Sequence, residues 1–275
     1  MDMRELLERR LPEHELRLLK GSFDIVGDIA IVEIPDELSH RERDIVDALL
    51  EVHPRVKTVY SKGSERKGAY RLREMKLLYG DEKETEHKEH GYRIRLDVRR
   101  VYFSPREANE RQRIAKQVRA GETVMVMFAG AGPYAIAIAK RQPKVKKVYA
   151  VELNPDAYKY MVENVRINKA GDKVIPLLGD VEAECTKHFG ACDRVVMPLP
   201  KGAYEYLKLA AKCLKKKGGV IHYYFWSSAE ALDDIKEIAE IDVRSQKRKV
   251  TGVKIAKVSE YGPKTLKFCM DMKVR

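Results

Sequence analysis

The chain lacks any long apolar run. Its 275 residues are 44% hydrophobic, enough for a sizeable core. Yet no stretch approaches the roughly 18 residues a membrane span requires. The opening "MDMRELLERRLPEHEL" lacks the apolar h-region of a signal peptide. These absences predict a soluble, cytoplasmic protein with no membrane partner. Cysteine is scarce: Cys185, Cys192, Cys213 and Cys269 form no CxxC pair, which argues against a zinc site or a disulfide framework and leaves buried or half-buried thiols. His87 and His90 in "TEHKEHGY" have a metal-like spacing but no third ligand, so they read as solvated strand and turn residues, and no metal is expected. Internal repeats and low-complexity tracts are missing too.

What is abundant is positive charge. The chain has 54 Lys and Arg against 42 Asp and Glu, a formal net charge of +12. The excess is clustered. "RVKTVYSKGSERKGAYRLREMK" (55–76) holds eight Lys/Arg against two Glu, and "RSQKRK" (244–249) adds four more. Clustered cations among tyrosines favour a polyanion, and nucleic acid first. A solvated face is the alternative. Arg66, Lys67, Arg71, Arg73, Lys247 and Arg248 are the candidate RNA-binding residues.

From residue 122 onward, apolar strands alternate with helices. The strands are "ETVMVMF" (122–128), "VKKVYAVEL" (145–153), "KVIPLLGD" (173–180), "DRVVM" (193–197) and "GVIHYYFW" (219–226). The helices are 133–141, 154–169 with Asn154 as cap, 201–217 ending at Gly218–Gly219, and 228–240 with Ser227 or Ser228 as cap. This alternation predicts βαβ units and a parallel sheet covered on both faces, an α/β fold. "TLKFCMDMKV" (265–274) fits an antiparallel strand at the end of such a sheet. The first hundred residues differ. "FDIVGDIAIVEI" (23–34) reads as a hairpin around Gly27–Asp28, 36–52 as an amphipathic helix, and "VKTVYS", "ETEHKEH" and "YRIRLDVRRVYF" as strands. The expected organisation is a smaller N-terminal α+β module, 1–105, for substrate and RNA, and a second domain, 106–275, joined through the helix "SPREANERQRIAKQVRAGE".

Three strand tips carry chemistry. "FAGAGPY" (128–134) follows a strand and opens a helix, where Gly130 and Gly132 let the backbone approach a ligand beside Phe128. The next strand ends at Glu152, whose carboxylate can accept both hydroxyls of a ribose. The third ends at Asp180, which can meet an adenine edge or simply cap a helix. Glycine, acid, acid is the layout of an S-adenosylmethionine site, and it also fits a nucleotide site of the NAD kind. The fourth tip, "VVMPLPKG", leaves its strand through Pro198, Leu199 and Pro200. Prolines cannot donate to a β-ladder. They make a stiff corner that offers the carbonyls of Met197, Pro198 and Leu199, or an ordinary turn.

"FAGAGPY", "VELNPDAYKYMVENVRIN" and "DRVVMPLPKGAYEYL…KKGGVIHYYFW" resemble class I, Rossmann-like methyltransferases. More narrowly, together with "KGAYRLREMKLLYG" and "DVRRVYFSPREANERQRIAK", they resemble the archaeal and eukaryotic tRNA (guanine(37)-N1)-methyltransferases over nearly the whole chain. The resemblance implies S-adenosylmethionine as donor and the guanine 3′ of a tRNA anticodon as acceptor. It implies Glu110 as general base, with a surface glutamate paired to Arg113 or Arg106 as the alternative. It implies Arg71 facing O6 of the guanine, and Tyr102 and Pro105 as walls of the base or the cofactor site. Pro198 and Pro200 belong to the same catalytic group, and Pro198 and Tyr102 are also expected to border the cofactor. The wybutosine-pathway aminocarboxypropyl transferase, and a branch that also methylates the tricyclic wybutosine precursor, share this skeleton. A relative that binds RNA without catalysis is a third possibility. Two departures stand out. Val126 occupies a place where the family usually has an acid, and Pro198-Leu199-Pro200 replaces Asn-Leu-Pro. Longer members carry an additional N-terminal domain for which this chain has no room. A monomer is expected.

Overall fold

A computed structural model describes residues 2–19, 23–63, 70, 72–262 and 265–275. The chain divides into two compact units, Met1–Pro105 and Arg106–Arg275. No described helix is long and apolar enough to cross a membrane.

The first unit opens with two short helices, α1 (Met3–Glu8) and α2 (Glu13–Leu16). Asp2 and Glu5 form a reciprocal capping box on α1. The expected hairpin follows as β1 (Asp24–Val26) and β2 (Ile29–Val32), turning at Gly27, whose φ is 60°. A 3-10 turn leads into α3 (Glu42–Val52), which packs Ile45, Val46, Ala48 and Leu49 inward. Next come β3 (Thr58–Lys62) and β4 (Met75–Tyr79). The sheet order is β1-β2-β3-β4, with β2 and β3 parallel across α3 and the other pairs antiparallel. A second hairpin pairs β5 (Glu84–Glu89) with β6 (Tyr92–Asp97). His90 sits exposed at its turn, but His87 is not the solvated residue expected. Its Nδ1 accepts from the Gly27 N–H at 3.2 Å, and its ring lies 5.1 Å from Phe103.

The second unit begins with α4 (Ala108–Gln117) and β7 (Thr123–Val126). Then follow α5 (Pro133–Arg141), β8 (Lys147–Glu152), α6 (Pro155–Ile167) and β9 (Val174–Leu178). The chain continues through α7 (Val181–Thr186), β10 (Arg194–Met197) and α8 (Leu207–Cys213). It ends with β11 (Gly219–Ser227), α9 (Leu232–Arg244), β12 (Val250–Gly262) and β13 (Thr265–Val274). Proline at the first helical position starts both α5 and α6, and the Asn154 side chain accepts from the Asp156 N–H at 3.0 Å.

One seven-stranded sheet carries the unit, in the order β12-β13-β11-β10-β7-β8-β9. Its five strands from β11 to β9 are parallel. β7 and β10 are buried along their whole length, as their unbroken apolar sequence requires. From β7 the chain first winds through β8 and β9, then returns to β10 and β11 on the other side. The switch point therefore lies between the carboxyl ends of β7 and β10, where a doubly wound sheet opens a crevice for ligands. β13 is antiparallel to β11, as expected, but it is not the edge; β12 pairs outside it.

Two local expectations are corrected. The helix after "PLPKG" starts as a 3-10 turn at Ala203–Tyr206 and ends at Cys213, because Leu214 is extended and pairs with Cys192. α9 starts only at Leu232, with Ala231 at the cap and no side-chain cap bond; Ser227 ends β11 and donates to the Ser228 carbonyl at 2.8 Å. The four cysteines are free, and each is buried.

Candidate active site

The loop after β7 runs at positive φ: 55° at Phe128, 57° at Gly130 and 84° at Gly132. For Phe128 this is a strained conformation that the surroundings must impose. Its ring meets Tyr206 edge-on at 5.1 Å. At Gly132 a side chain is excluded twice over, by the positive φ and because a Cβ would lie 2.8 Å from the Met161 Cγ on α6. The turn into α5 is thus reserved for glycine.

Glu152 reaches this loop from the tip of β8. Oε2 accepts from the Gly130 N–H at 2.6 Å, and Oε1 from the Asn154 N–H at 2.8 Å. Burial pushes its carboxyl up, and these backbone donors pull it partly back. The Leu153 N–H is a third backbone donor to this carboxylate, which leaves about one of its four acceptor positions open. Glu152 therefore clasps the glycine loop and can still accept a hydroxyl. This supplies the loop-organising acid whose usual place is taken by Val126, here fully buried. Asp180 is exposed at the tip of β9 and caps α7, its Oδ1 accepting from the Glu182 N–H at 2.7 Å.

Across the switch point, the corner after β10 explains its prolines. The Leu199 N–H donates to the Met197 carbonyl at 2.8 Å, a three-residue turn centred on Pro198. Such a γ-turn wants φ near −75°, which the pyrrolidine ring pre-sets. The Met197 carbonyl is thus partly spent within the turn, rather than wholly available to a ligand. Pro200 restricts Leu199 and leads into the next turn.

Glu110 is buried at 8% exposure, not on the helix surface. It does pair with Arg113: Nε to Oε2 at 2.7 Å and Nη2 to Oε1 at 2.8 Å. The Tyr224 hydroxyl donates to Oε1 at 2.5 Å. From there a polar cluster spreads that sequence reasoning missed. Arg113 also donates to Asp271, Nη1 to Oδ2 at 2.6 Å. Gln117 donates to the same oxygen at 3.0 Å, and Oδ1 of Asp271 lies 2.6 Å from Nδ1 of His222. His222 Nε2 lies 2.6 Å from Nη1 of Arg194, which is also bound to Glu122 at 2.9 Å. An arginine only donates, so Nε2 of His222 accepts and its ring proton sits on Nδ1, donating to Asp271. Burial pushes the imidazole pKa down and keeps the ring neutral. Burial alone would push the Asp271 carboxyl up; the His222 and Arg113 donors outweigh it and hold it well below the usual carboxylate range. Nearby, Tyr134 donates to the Tyr224 hydroxyl at 3.2 Å, and Lys267 pairs with Glu107 at 2.6 Å.

The topology explains this cluster. Period-two alternation puts His222 and Tyr224 of β11 on one face, in register with Asp271 and Cys269 of β13. On α4, Glu110, Arg113 and Gln117 recur at helical spacing and cover that face. The opposite face of the same strands is apolar: Tyr223, Phe225, Phe268 and Met270 belong to the main core. The signal in the sequence was a histidine and an aspartate inside otherwise apolar strands, where charge survives only if paired.

Tyr102, 40% exposed, lines a groove in the first unit with Asp24, Lys62, Arg73 and Phe103. Within the described residues, the buried Nε of Arg73 has no hydrogen-bond partner. Arg66, Lys67 and Arg71 lie outside the described residues. Part of the 55–76 cluster is neutralised, with Lys57 on Asp28 at 3.0 Å and Lys76 on Glu42 at 2.8 Å. Lys247 is exposed in a turn at φ 58°. Arg248 departs from the expectation of an RNA contact: its guanidinium donates to the carbonyls of Leu214 at 2.6 Å and Lys215 at 2.8 Å, closing the end of α8.

Comparison with known proteins places this geometry. A tRNA (guanine(37)-N(1))-methyltransferase of Pyrococcus abyssi, Trm5b, is 42% identical over 270 residues, covering 96% of this chain and 78% of that protein. The tRNA(Phe) (4-demethylwyosine(37)-C(7)) aminocarboxypropyltransferase of Methanocaldococcus jannaschii is 34% identical over 251 residues, covering 90% of this chain and 96% of that one. The structure described as the complex of aTrm5 and tRNALeu matches with a TM-score of 0.85 at 34% identity, over 100% of this chain and 78% of that chain. Residues 3–84 match the TYW2 N-terminal domain and residues 85–253 the TRM5/TYW2 methyltransferase domain, and the chain belongs to this TRM5/TYW2 methyltransferase family.

Proposed function

We propose that the protein transfers a methyl group from S-adenosylmethionine to N1 of the guanine 3′ of a tRNA anticodon, position 37. One observation carries the proposal. In a chain of this family, the glycine loop clasped by Glu152 and the Pro198 corner meet at the single switch point of the sheet. Tyr134, two residues beyond Gly132, is joined through Tyr224 to Glu110.

The site fits the cofactor. Its loop excludes a side chain at Gly132, and Glu152 retains an acceptor position for a ribose hydroxyl. Bound there, S-adenosylmethionine supplies an electrophilic methyl group. Phe128, Gly130 and Gly132 shape the loop, and Asp180 serves the adenine side. Guanine N1 is a weak acid, so transfer needs a base: as the N1–C bond forms and the C–S bond breaks, Glu110 takes the N1 proton. Arg71 meets charge growing on O6. Tyr102 walls the base, and Pro198 and Pro200 fix the corner. Arg66, Lys67, Arg73 and Lys247 take phosphates of the tRNA.

The aminocarboxypropyl reading rests on a specific observation. Residues 3–84 match the TYW2 N-terminal domain, and the chain spans 96% of a relative named for that activity. Mass spectrometry of tRNA after incubation with enzyme and cofactor separates the two. A gain of one methyl group is expected; a gain of one aminocarboxypropyl group overturns the proposal.

A further inference from the structure

Glu110 and Asp271 are the two carboxylates that share Arg113, and their surroundings differ. Asp271 is saturated: Oδ1 meets His222 at 2.6 Å, Arg113 at 3.2 Å and the Cys269 thiol at 3.3 Å, while Oδ2 takes Arg113 at 2.6 Å and Gln117 at 3.0 Å. Glu110 accepts three bonds: Tyr224 and Arg113 on Oε1, and Arg113 on Oε2. An ionised carboxylate has about four acceptor positions. One position on Oε2 therefore stays open, and the other three fix the direction in which it points. Arg113 sets that direction, and its own orientation is set from the far side by Asp271. Asp271 is held in turn by His222, whose tautomer Arg194 dictates.

We infer that Asp271, His222 and Arg113 are positioning residues for the methyl transfer: Asp271, oriented by His222, fixes the guanidinium fork of Arg113, which aims the open acceptor of Glu110. The inference rests on the proposal that Glu110 takes the N1 proton. It gives a reason for the histidine of "GVIHYY" and the aspartate of "FCMDMKV", which sit opposite each other in otherwise apolar strands. A guanidinium is suited to the task because its donors form a rigid planar fork. An ammonium would not fix an angle.

The experiment is a double-mutant cycle on the full chain with unmodified tRNA transcript. Glu110→Gln is expected to lower turnover about 10²–10⁴-fold, the usual range for a general base. Asp271→Asn keeps the shape of the side chain but weakens its hold on Arg113. It is expected to lower turnover at saturating substrates about tenfold or more, as small misplacements of a catalytic group do. Cofactor and tRNA dissociation constants are expected to stay unchanged. In the Glu110→Gln background, Asp271→Asn is expected to cost nothing further, because no base remains to be aimed. Should Asp271→Asn fail to fold, Arg113→Lys carries the same test, read the same way. Full turnover in the single variant, or an equal loss in both backgrounds, overturns the positioning role. A Glu110→Gln enzyme with normal turnover instead overturns the assignment of Glu110 as base.

Discussion

Glu152→Gln is the sharpest perturbation of the cofactor site. The wild-type carboxylate accepts two backbone N–H bonds at once, from Gly130 at 2.6 Å and Asn154 at 2.8 Å. An amide of the same shape has only one oxygen. Whichever N–H it accepts, its NH₂ group faces the other donor. One loop N–H is then left unpaired, and the amide has no acceptor to spare for a ribose hydroxyl. Hydrogen bonds to a charged group contribute about 1.5–3 kcal/mol each. Loss of one to the cofactor corresponds to a rise in its dissociation constant of about 10–150-fold. Glu152→Ala loses the same contact but lets water reach the freed N–H groups, so it is expected to bind cofactor no worse than the Gln variant. Titration calorimetry with S-adenosylmethionine measures both. pH adds a second check. Burial pushes the Glu152 carboxyl above its ordinary 4.5, so acidification neutralises it early. Cofactor affinity is expected to fall with pH in the wild type and to stay flatter in Glu152→Gln. An unchanged dissociation constant in the Gln variant refutes the clasp as a ribose contact.

Other predictions concern the corner, the RNA surface and the buried histidine. Pro200→Ala is expected to loosen Leu199 and lower turnover with cofactor affinity intact, whereas Pro198→Asn should sustain methylation of a guanine-containing transcript; its failure there would point to a pocket shaped for a bulkier base. Affinity for tRNA should fall steeply with salt and weaken in Lys247→Ala, as expected when cations neutralise phosphates; salt-independent binding refutes this. Arg248→Ala should leave tRNA affinity alone but lower the melting temperature, since its carbonyl contacts contribute about 1–3 kcal/mol and each kcal/mol is worth about 2–4 °C in a chain of this size. His222, held neutral by burial, binds fewer protons folded than unfolded, so its contribution to stability is complete above its ordinary 6.5 and is lost as pH falls below it. Melting curves across that range should show a loss that shrinks in His222→Gln; an identical loss in both proteins contradicts the assignment.

The parallel core was legible because its signals are local. Strands such as "VVM" are apolar throughout, and proline and asparagine mark the helix starts at Pro133 and Asn154. Strand tips place Gly130, Glu152 and Pro198 without any knowledge of packing. Elements that depend on distant partners escaped. β4 is hidden in a basic run, and β12 is an edge strand with three register irregularities, so its alternation is blurred. α7 has only six residues, too few for a periodic pattern. The Glu110 cluster joins residues more than a hundred positions apart, Tyr224 to Glu110 and Arg113 to Asp271, and no spacing rule links them. Arg248 looked like part of a charge run, and only the ends of α8 and β12 show that its fork closes a helix. The place of Glu152 at a strand tip suggests a ribose acceptor; its clasp on the glycine loop depends on φ angles that the letters do not display.

The central claim is transfer of a methyl group to N1 of a guanine at position 37, and labelled methyl transfer to a matched pair of transcripts tests it most directly. One transcript carries guanine at that position and the other adenine, with the rest of the tRNA identical. Label is expected in the guanine transcript alone, recovered after digestion as a nucleoside methylated at N1. Equal labelling of both transcripts, or label in neither while the tricyclic precursor is modified, would contradict the account.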